Sequence, residues 1–275
     1  MQYPPTHKDE TTEILHGTTI FDPYRWMEDI DSPATQQWIE EQNKLTFSFL
    51  ESIPARQRIG KRLTELWDYE KFTPPLKRGE RYFFTYNNGL QNQSSLFWME
   101  SLHAEPRLLL DPNLISEDGT SAMTDFAVSK NGKLLAYSIS VAGSDWQEWR
   151  LRDIDTAQDL PDVIRWVKFS TATWTPDNLG FYYSRYEQPK PGTALKDANR
   201  NQKLYYHRLG TLQEKDEMVY ERPDYPDWGF GADVTDDGRY LVISVWKGTH
   251  RENAIFYQNL TQIGSSIQPL LPDFD

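Results

Sequence analysis

The sequence predicts a mainly β protein with an N-terminal α segment, its β part an array of about four propeller blades. Three observations carry this. One strand–turn–strand pattern recurs along the chain, the composition favours strands, and helical periodicity is confined to the region before residue 70.

The recurring pattern is clearest from Asp125 to Ser138. Phe126 and Val128 alternate with polar neighbours, Lys130-Asn131-Gly132 supplies a turn, and Leu134 to Tyr137 forms an apolar run. Asn and Gly accept the positive φ that such turns need. Copies run from Ala172 to Ser184 and from Asp233 to Ser244, with a degenerate copy from Leu76 to Thr85. Aligning Ser129, Thr175 and Thr235 gives spacings of 46 and 60 residues, and Gly79 to Gly132 spans 53. Strand-rich units at roughly 40–50 residues mark propeller blades, which bury their faces against neighbouring blades. The competing reading is a set of unrelated hairpins in a sandwich.

Composition narrows the function classes. A chain of 275 residues holds one large or two modest domains, and 38% apolar with 14% aromatic residues is enough for a packed core. The formal net charge of -12 argues against nucleic acid or an anionic membrane as partner. The chain has no cysteine, which excludes disulfides, thiol catalysis and thiolate-bound metal. The N-terminus has no basic start or apolar run of a signal peptide, and no stretch is long and apolar enough for a membrane helix. The expectation is a soluble cytoplasmic protein.

Along the chain, residues 1 to 31 read as extended and loop-rich, with an anchoring aromatic segment from Ile20 to Asp29. Ser32-Pro33 is a helix start, a hydroxyl cap followed by proline at the first helical position. Trp38, Ile39, Gln42, Leu45, Phe49 and Leu50 then share one helical face. A second helix runs from about Pro54 to Trp67, with Ile59, Leu63, Leu66 and Trp67 on one side. The organisation is therefore an α-containing region, residues 1–71, and a β region, residues 72–275. Blade one holds strands near 81–87, 94–100 and 107–110, followed by a loop from Asp111 to Thr120. Blade two runs from Ala122 to Ala157. Blade three starts near Arg165 and carries a polar surface insertion from Glu187 to Asn201. Blade four extends from Gly231 to about Leu271.

Catalytic constellations are missing from this pattern. There is no Gly-x-Ser-x-Gly elbow, and Ser121, Ser144 and Ser265 lack the second glycine. The five histidines, at 7, 16, 103, 207 and 250, show no metal-ligand spacing and no neighbouring nucleophile. No glycine-rich phosphate loop and no cofactor motif is present. Asp236-Asp237 occupies the repeat turn and reads as turn chemistry. Asp145-Trp146 lies in a polar loop ending a strand, a carboxylate beside a large ring, and reads either as a structural turn or as a contact site. Paired aromatics such as Tyr182-Tyr183 and Tyr205-Tyr206 fall within strand patterns, where blade packing uses them.

Several ordered segments resemble the prolyl oligopeptidase family of serine peptidases. They are His16-Gly17 with Asp22 to Asp29, Gly89 to Gln93, Leu110 to Asn113 with Asp118 to Thr120, Gly143 to Trp146, Val167 to Ser170 with Trp174, and Lys203 to His207. The resemblance implies an N-terminal segment that packs on an α/β-hydrolase domain, followed by a seven-bladed propeller of which this chain holds about four blades. It implies hydrolysis of short peptides after proline, with the catalytic Ser, Asp and His on the C-terminal hydrolase domain. No catalytic residue, metal or cofactor is expected here. Phe169 matches a propeller residue lining an apolar substrate pocket, with its ring facing either the blade core or the central cavity. Asp145, beside Trp146, matches a carboxylate near the propeller–hydrolase interface. Further pocket positions fall at Gly229 and Thr249, where the residues depart from the family. The implied role is gating and pocket lining, with no activity alone. Its partners are short proline-containing peptides and a hydrolase domain from the same or a split gene. The alternative is a stand-alone propeller-like module that binds a protein or peptide.

Overall fold

The computed structural model describes residues 2–274; Met1 and Asp275, the outer ends of the two sequence ranges, lie outside it. The chain divides into two compact units, Met1–Asp68 and Tyr69–Asp275.

The first unit begins with a hairpin of β1 (Thr12–Leu15) and β2 (Thr18–Phe21). Its two-residue turn is His16-Gly17, both with positive φ (51° and 80°). That geometry matches the right-handed twist of paired strands. Residues 1–31 were expected to be extended and loop-rich; the hairpin adds a paired turn, with histidine in a position more often taken by Asn, Asp or Gly. Helix α1 (Pro33–Glu51) starts as expected: Ser32 is extended and its Oγ accepts the Thr35 amide at 3.2 Å. Helix α2 spans Arg56–Trp67. Ile59, Leu63, Leu66 and Trp67 are each more than half exposed, at 53%, 58%, 52% and 64%.

The second unit is four consecutive antiparallel sheets. Blade one holds β3 (Lys71–Phe72), β4 (Leu76–Arg78), β5 (Arg81–Asn87), β6 (Ser95–Met99) and β7 (Arg107–Leu110). β3 and β4 both pair with β5. They amount to one first strand interrupted at Pro74-Pro75, which offer no N–H to the ladder. The following loop contains a single 3-10 turn, Pro112–Leu114, capped by Asp111. Blade two is β8 (Ser121–Val128), β9 (Leu134–Val141), β10 (Gln147–Asp153) and β11 (Gln158–Val167). Blade three is β12 (Thr173–Trp174), β13 (Gly180–Arg185), β14 (Lys203–Arg208) and β15 (Glu217–Tyr220). Blade four is β16 (Trp228–Val234), β17 (Tyr240–Lys247), β18 (Asn253–Asn259) and β19 (Gln268–Leu271).

One boundary departs from the sequence reading. Blade two does not end at Ala157, and blade three does not begin near Arg165, because β11 belongs wholly to blade two. Pro161 reads as a breaker, yet an edge strand tolerates proline at a bulge. The register jumps from Arg150↔Val163 to Arg152↔Asp159, leaving residues 160–162 opposite Leu151.

The turn grammar of the sequence has one chemical basis. In three blades a hydroxyl donates to the side chain two residues on: Ser129 to Asn131 at 2.8 Å, and Thr175 to Asp177 and Thr235 to Asp237 at 2.6 Å. The same acceptor then takes the amide of Lys133, Leu179 or Arg239. These bonds hold the Asp237 carboxyl below its ordinary range. The turns also touch one another. Gly79 N donates to Lys130 O at 3.0 Å, and Asn131 N donates to the Asn178 side chain at 3.0 Å.

Three buried clusters fill the spaces between consecutive blades. Phe83, Leu96, Trp98, Leu135 and Tyr137 join blades one and two. Trp149, Ile164, Trp174, Phe181 and Tyr183 join two and three. Leu204, Phe230, Leu241, Ile243 and Val245 join three and four. Among the described residues no such cluster joins blade four to blade one. The four sheets therefore form part of a propeller, not a closed ring.

Gly132 (φ 71°) sits at a turn contact, where an added Cβ would lie 2.5 Å from Arg78 O. Gly248 (φ 51°) has open space around it. Left-handed geometry alone costs about 1–2 kcal/mol for a residue with a Cβ. Gly248→Ala should lose about that much in urea denaturation. Gly132→Ala should lose clearly more, because it also pushes two blades apart; equal losses would show that the turn contact adds nothing.

Candidate functional site

The seam between blades two and three carries the sequence-predicted residues. β11 and the residue after it form the seam through attachments at Asp162, Arg165, Trp166 and Lys168. Gly210 N donates to Asp162 Oδ1 at 2.5 Å, the Gln213 amide pairs with both N and O of Arg165 at 3.0 Å, and Tyr186 N donates to Trp166 O at 3.0 Å. Gln202 Nε2 donates to Lys168 O at 2.9 Å. The Gln213 side chain thus stands in for a neighbouring strand, satisfying backbone groups that the edge leaves open.

At the end of this seam the chain leaves the sheet. Trp166 and Phe169 are both left-handed, with φ of 63° and 53°, a conformation that bulky residues rarely adopt. Phe169 was expected at a strand start, with its ring in the blade core or the cavity. It lies beyond the end of β11, and the residue is 51% exposed. The left-handed backbone lifts it out of the sheet, which rules out core packing.

Lys168 is the buried centre of this corner, only 6% exposed. Its ammonium lies 3.9 Å from the centroid of the Trp146 ring and donates to Asn199 Oδ1 at 3.0 Å. Burial holds the Lys168 amine below its ordinary value, and the Asp145 charge partly offsets this. Removing an ammonium from water disfavours the charged form, while a carboxylate and an aromatic face favour it.

Asp145 and Trp146 emerge from a tight turn at Ala142 (φ 53°) and Gly143 (φ 70°), where Ser144 Oγ accepts the Trp146 amide. Asp145 is exposed and Trp146 half-buried. The Trp146 ring meets Trp166 and Tyr186 edge-on, at 5.6 and 6.3 Å. Its Nε1 donates to Ala194 O at 2.8 Å. Burial pushes the Tyr186 phenol up to about 12. The turn reading of Asp145-Trp146 matches this geometry: a structural turn delivers the indole to the seam. Asp145, Trp146 and Phe169 are gathered about Lys168, and the 187–201 insertion is tied to the same place through Ala194 and Asn199.

Lys168, Trp166, Tyr186 and Asn199 were missed as site residues. The available signal was a lysine between Val167 and Phe169, a charge interrupting an apolar run. Gly229 and Thr249 differ from each other. An added Cβ at Gly229 would lie 2.4 Å from the Trp246 indole, directly across the β16–β17 pair, so that ring occupies the space a side chain would take. Thr249 is exposed in the turn after β17.

The corner offers solvent an exposed apolar ring and an exposed carboxylate, with the Lys168 amine buried behind them. It offers no acyl-transfer chemistry, which needs a nucleophile bonded to a base. The hydrogen bonds of His7 and His207 go to carboxylates, not to hydroxyl nucleophiles. Among the described residues no group of His, Cys, Asp or Glu is placed to hold a metal ion, and no helix is long and apolar enough to cross a membrane.

Fold and sequence together define an N-terminal β-propeller domain of the peptidase type. Residues 4–275 match the family described as "Prolyl oligopeptidase, N-terminal beta-propeller domain". The prolyl endopeptidase of Elizabethkingia meningoseptica is 38% identical over all of this chain, which covers 38% of that protein. Prolyl oligopeptidase A of Amanita bisporigera is 33% identical over 94% of this chain and 38% of its own length. Prolyl oligopeptidase B of Galerina marginata, solved with a 25mer macrocyclization substrate, superposes with a TM-score of 0.84 at 27% identity, over 99% of this chain and 42% of that one. The chain belongs to the prolyl oligopeptidase family. It corresponds to the N-terminal propeller portion of these proline-specific serine peptidases and spans about two fifths of their length; the catalytic domain of the full-length relatives has no counterpart in these 275 residues.

Phe169→Ala should change unfolding free energy by less than about 1 kcal/mol, because the ring is half exposed. Phe181→Ala, at a fully buried residue, should lose about 3–5 kcal/mol. Comparable losses in chemical denaturation would return Phe169 to the core.

Proposed function

We propose that this chain supplies substrate gating and pocket lining to a proline-specific serine oligopeptidase. It works with an α/β-hydrolase unit that carries the catalytic groups. Residues 1–71 cover that unit, and residues 72–275 form part of the propeller beside it. Short proline-containing peptides are the substrates, and the cytoplasm is the proposed setting.

The observation that carries this reading is the exposure of Phe169. A large apolar ring held in a rare backbone conformation is maintained only by the structure around it. Here Lys168, Trp146 and the seam do so, and Asp145 stands beside them. An apolar ring beside a few convergent polar groups is the combination that binding sites use to hold and orient a ligand. The exposed apolar side of α2 is the second support, since a large exposed apolar patch marks an interaction surface.

The test is reconstitution. The purified chain alone should not cleave a chromogenic proline-containing peptide. Combined with a hydrolase portion from the family, it should restore cleavage. In that assembly Phe169→Ala should raise KM for substrates with apolar side chains several-fold while leaving kcat nearly unchanged, the signature of lost binding shared by ground and transition states. Turnover by the chain alone, or an unchanged KM, would contradict the proposal. Tight binding of a peptide by the chain alone, with no reconstitution, would favour a stand-alone binding module.

A further inference from the structure

We propose that His207 is a doubly bonded imidazolium that clasps blade three to blade two, and that this seam loosens first as pH rises. The ring is fully buried on β14. Its Nδ1 lies 2.7 Å from Asp216 Oδ1 and its Nε2 lies 3.1 Å from Asp162 Oδ1. Asp162 comes from blade two, from the bulged residues of β11, so the second contact crosses between blades.

The geometry fixes the protonation state. A neutral imidazole has one N–H and one lone pair, whereas the imidazolium has two N–H groups. Both nitrogens here face carboxylate oxygens, so a neutral ring would set a lone pair against a carboxylate. The carboxylates are themselves loaded with donors: Gly210 N on Asp162 and Tyr183 Oη on Asp216 Oδ2, at 2.5 and 2.7 Å. The facing titratable groups are therefore Asp162 from β11, Asp216 from the turn before β15 and Tyr183 from β13, with Arg185 acting on Tyr183. Burial and Asp216 hold the Tyr183 phenol far above its ordinary value, so it stays a donor. Phe181 covers one side of the imidazole, its ring centroid 5.3 Å away.

The direction of the pH effect follows. Burial alone lowers the His207 value, but the bonds and charges of Asp216 and Asp162 outweigh it and raise it above 6.5. A group raised on folding contributes its full stability below the unfolded value and loses it as pH climbs through the folded value. The clasp is therefore complete in mildly acidic solution and releases on the alkaline side.

Two measurements on the intact chain test this. Nitrogen-15 spectra of labelled histidine should show both His207 ring nitrogens predominantly protonated at pH 6.5, where a free imidazole is half neutral, with a midpoint above 6.5. A predominantly neutral ring at pH 6.5 would overturn the proposal, and this readout needs no variant. Hydrogen exchange, corrected for its intrinsic pH dependence, should then show β11 and β14 opening up to about tenfold more per pH unit between 6.5 and that midpoint, and levelling off above it. β17 should stay level. His207→Gln, which donates to only one carboxylate, should abolish the pH response of β11 and β14; the same response in wild type and variant would also overturn it.

Discussion

Contact between blades is the interaction on which this structure depends. Each four-stranded sheet has two faces and two edges to satisfy, and only a neighbouring blade covers a face. Here that contact has three components. Aromatic and aliphatic clusters fill the spaces, as Trp149, Phe181 and Tyr183 do between blades two and three. The repeated turns abut through Gly79, Asn131 and Asn178, where backbone meets backbone or an amide side chain. Polar groups close the outer edge, with Gln213 copying a strand against Arg165 and Asp162 reaching Gly210. The exposed corner at Phe169 exists because this edge is closed up to Lys168 and then released.

Much of this was legible in the sequence, for physical reasons. The turn residues at 129–132, 175–178 and 235–238 repeat because the same side-chain bond shapes each turn. Strands β5 and β7 were read to the residue, since dense apolar and aromatic runs there stop at turn chemistry. The Ser32-Pro33 helix start is local and needs no tertiary context. What escaped depends on contacts distant in sequence. The extent of β11 escapes because the bulge that carries residues 160–162 within one strand is not visible in the sequence. The left-handed state of Phe169 follows from its anchored neighbours, not from its own preference, so a strand was the natural expectation. His207 lay among five unremarkable histidines; its partners, Asp162 and Asp216, sit 45 and 9 residues away. Lys168 falls within the Val167–Ser170 segment, yet its burial under Trp146 depends on a contact 22 residues away.

The arrangement connects architecture to role. Four blades share three filled seams, so each terminal blade has one side without a buried cluster among the described residues. Strand β19 is exposed along its length, with Leu270 and Leu271 at 58% and 62%. In the first unit, Ile14, Phe21, Phe47 and Phe49 join the apolar side of α2 in facing solvent. Apolar surface favours burial by about 25 cal/mol per Å². Surfaces of this kind favour burial, and in the proposed assembly the hydrolase unit is what would cover them.

The most direct measurement of that claim is hydrophobic-dye binding by the isolated chain, read together with size-exclusion chromatography over a range of concentrations. A chain shaped to be covered should bind the dye and self-associate as concentration rises. A monodisperse monomer that binds no dye and melts in one sharp transition would contradict the account, because its exposed apolar surfaces would then be stable in water by themselves.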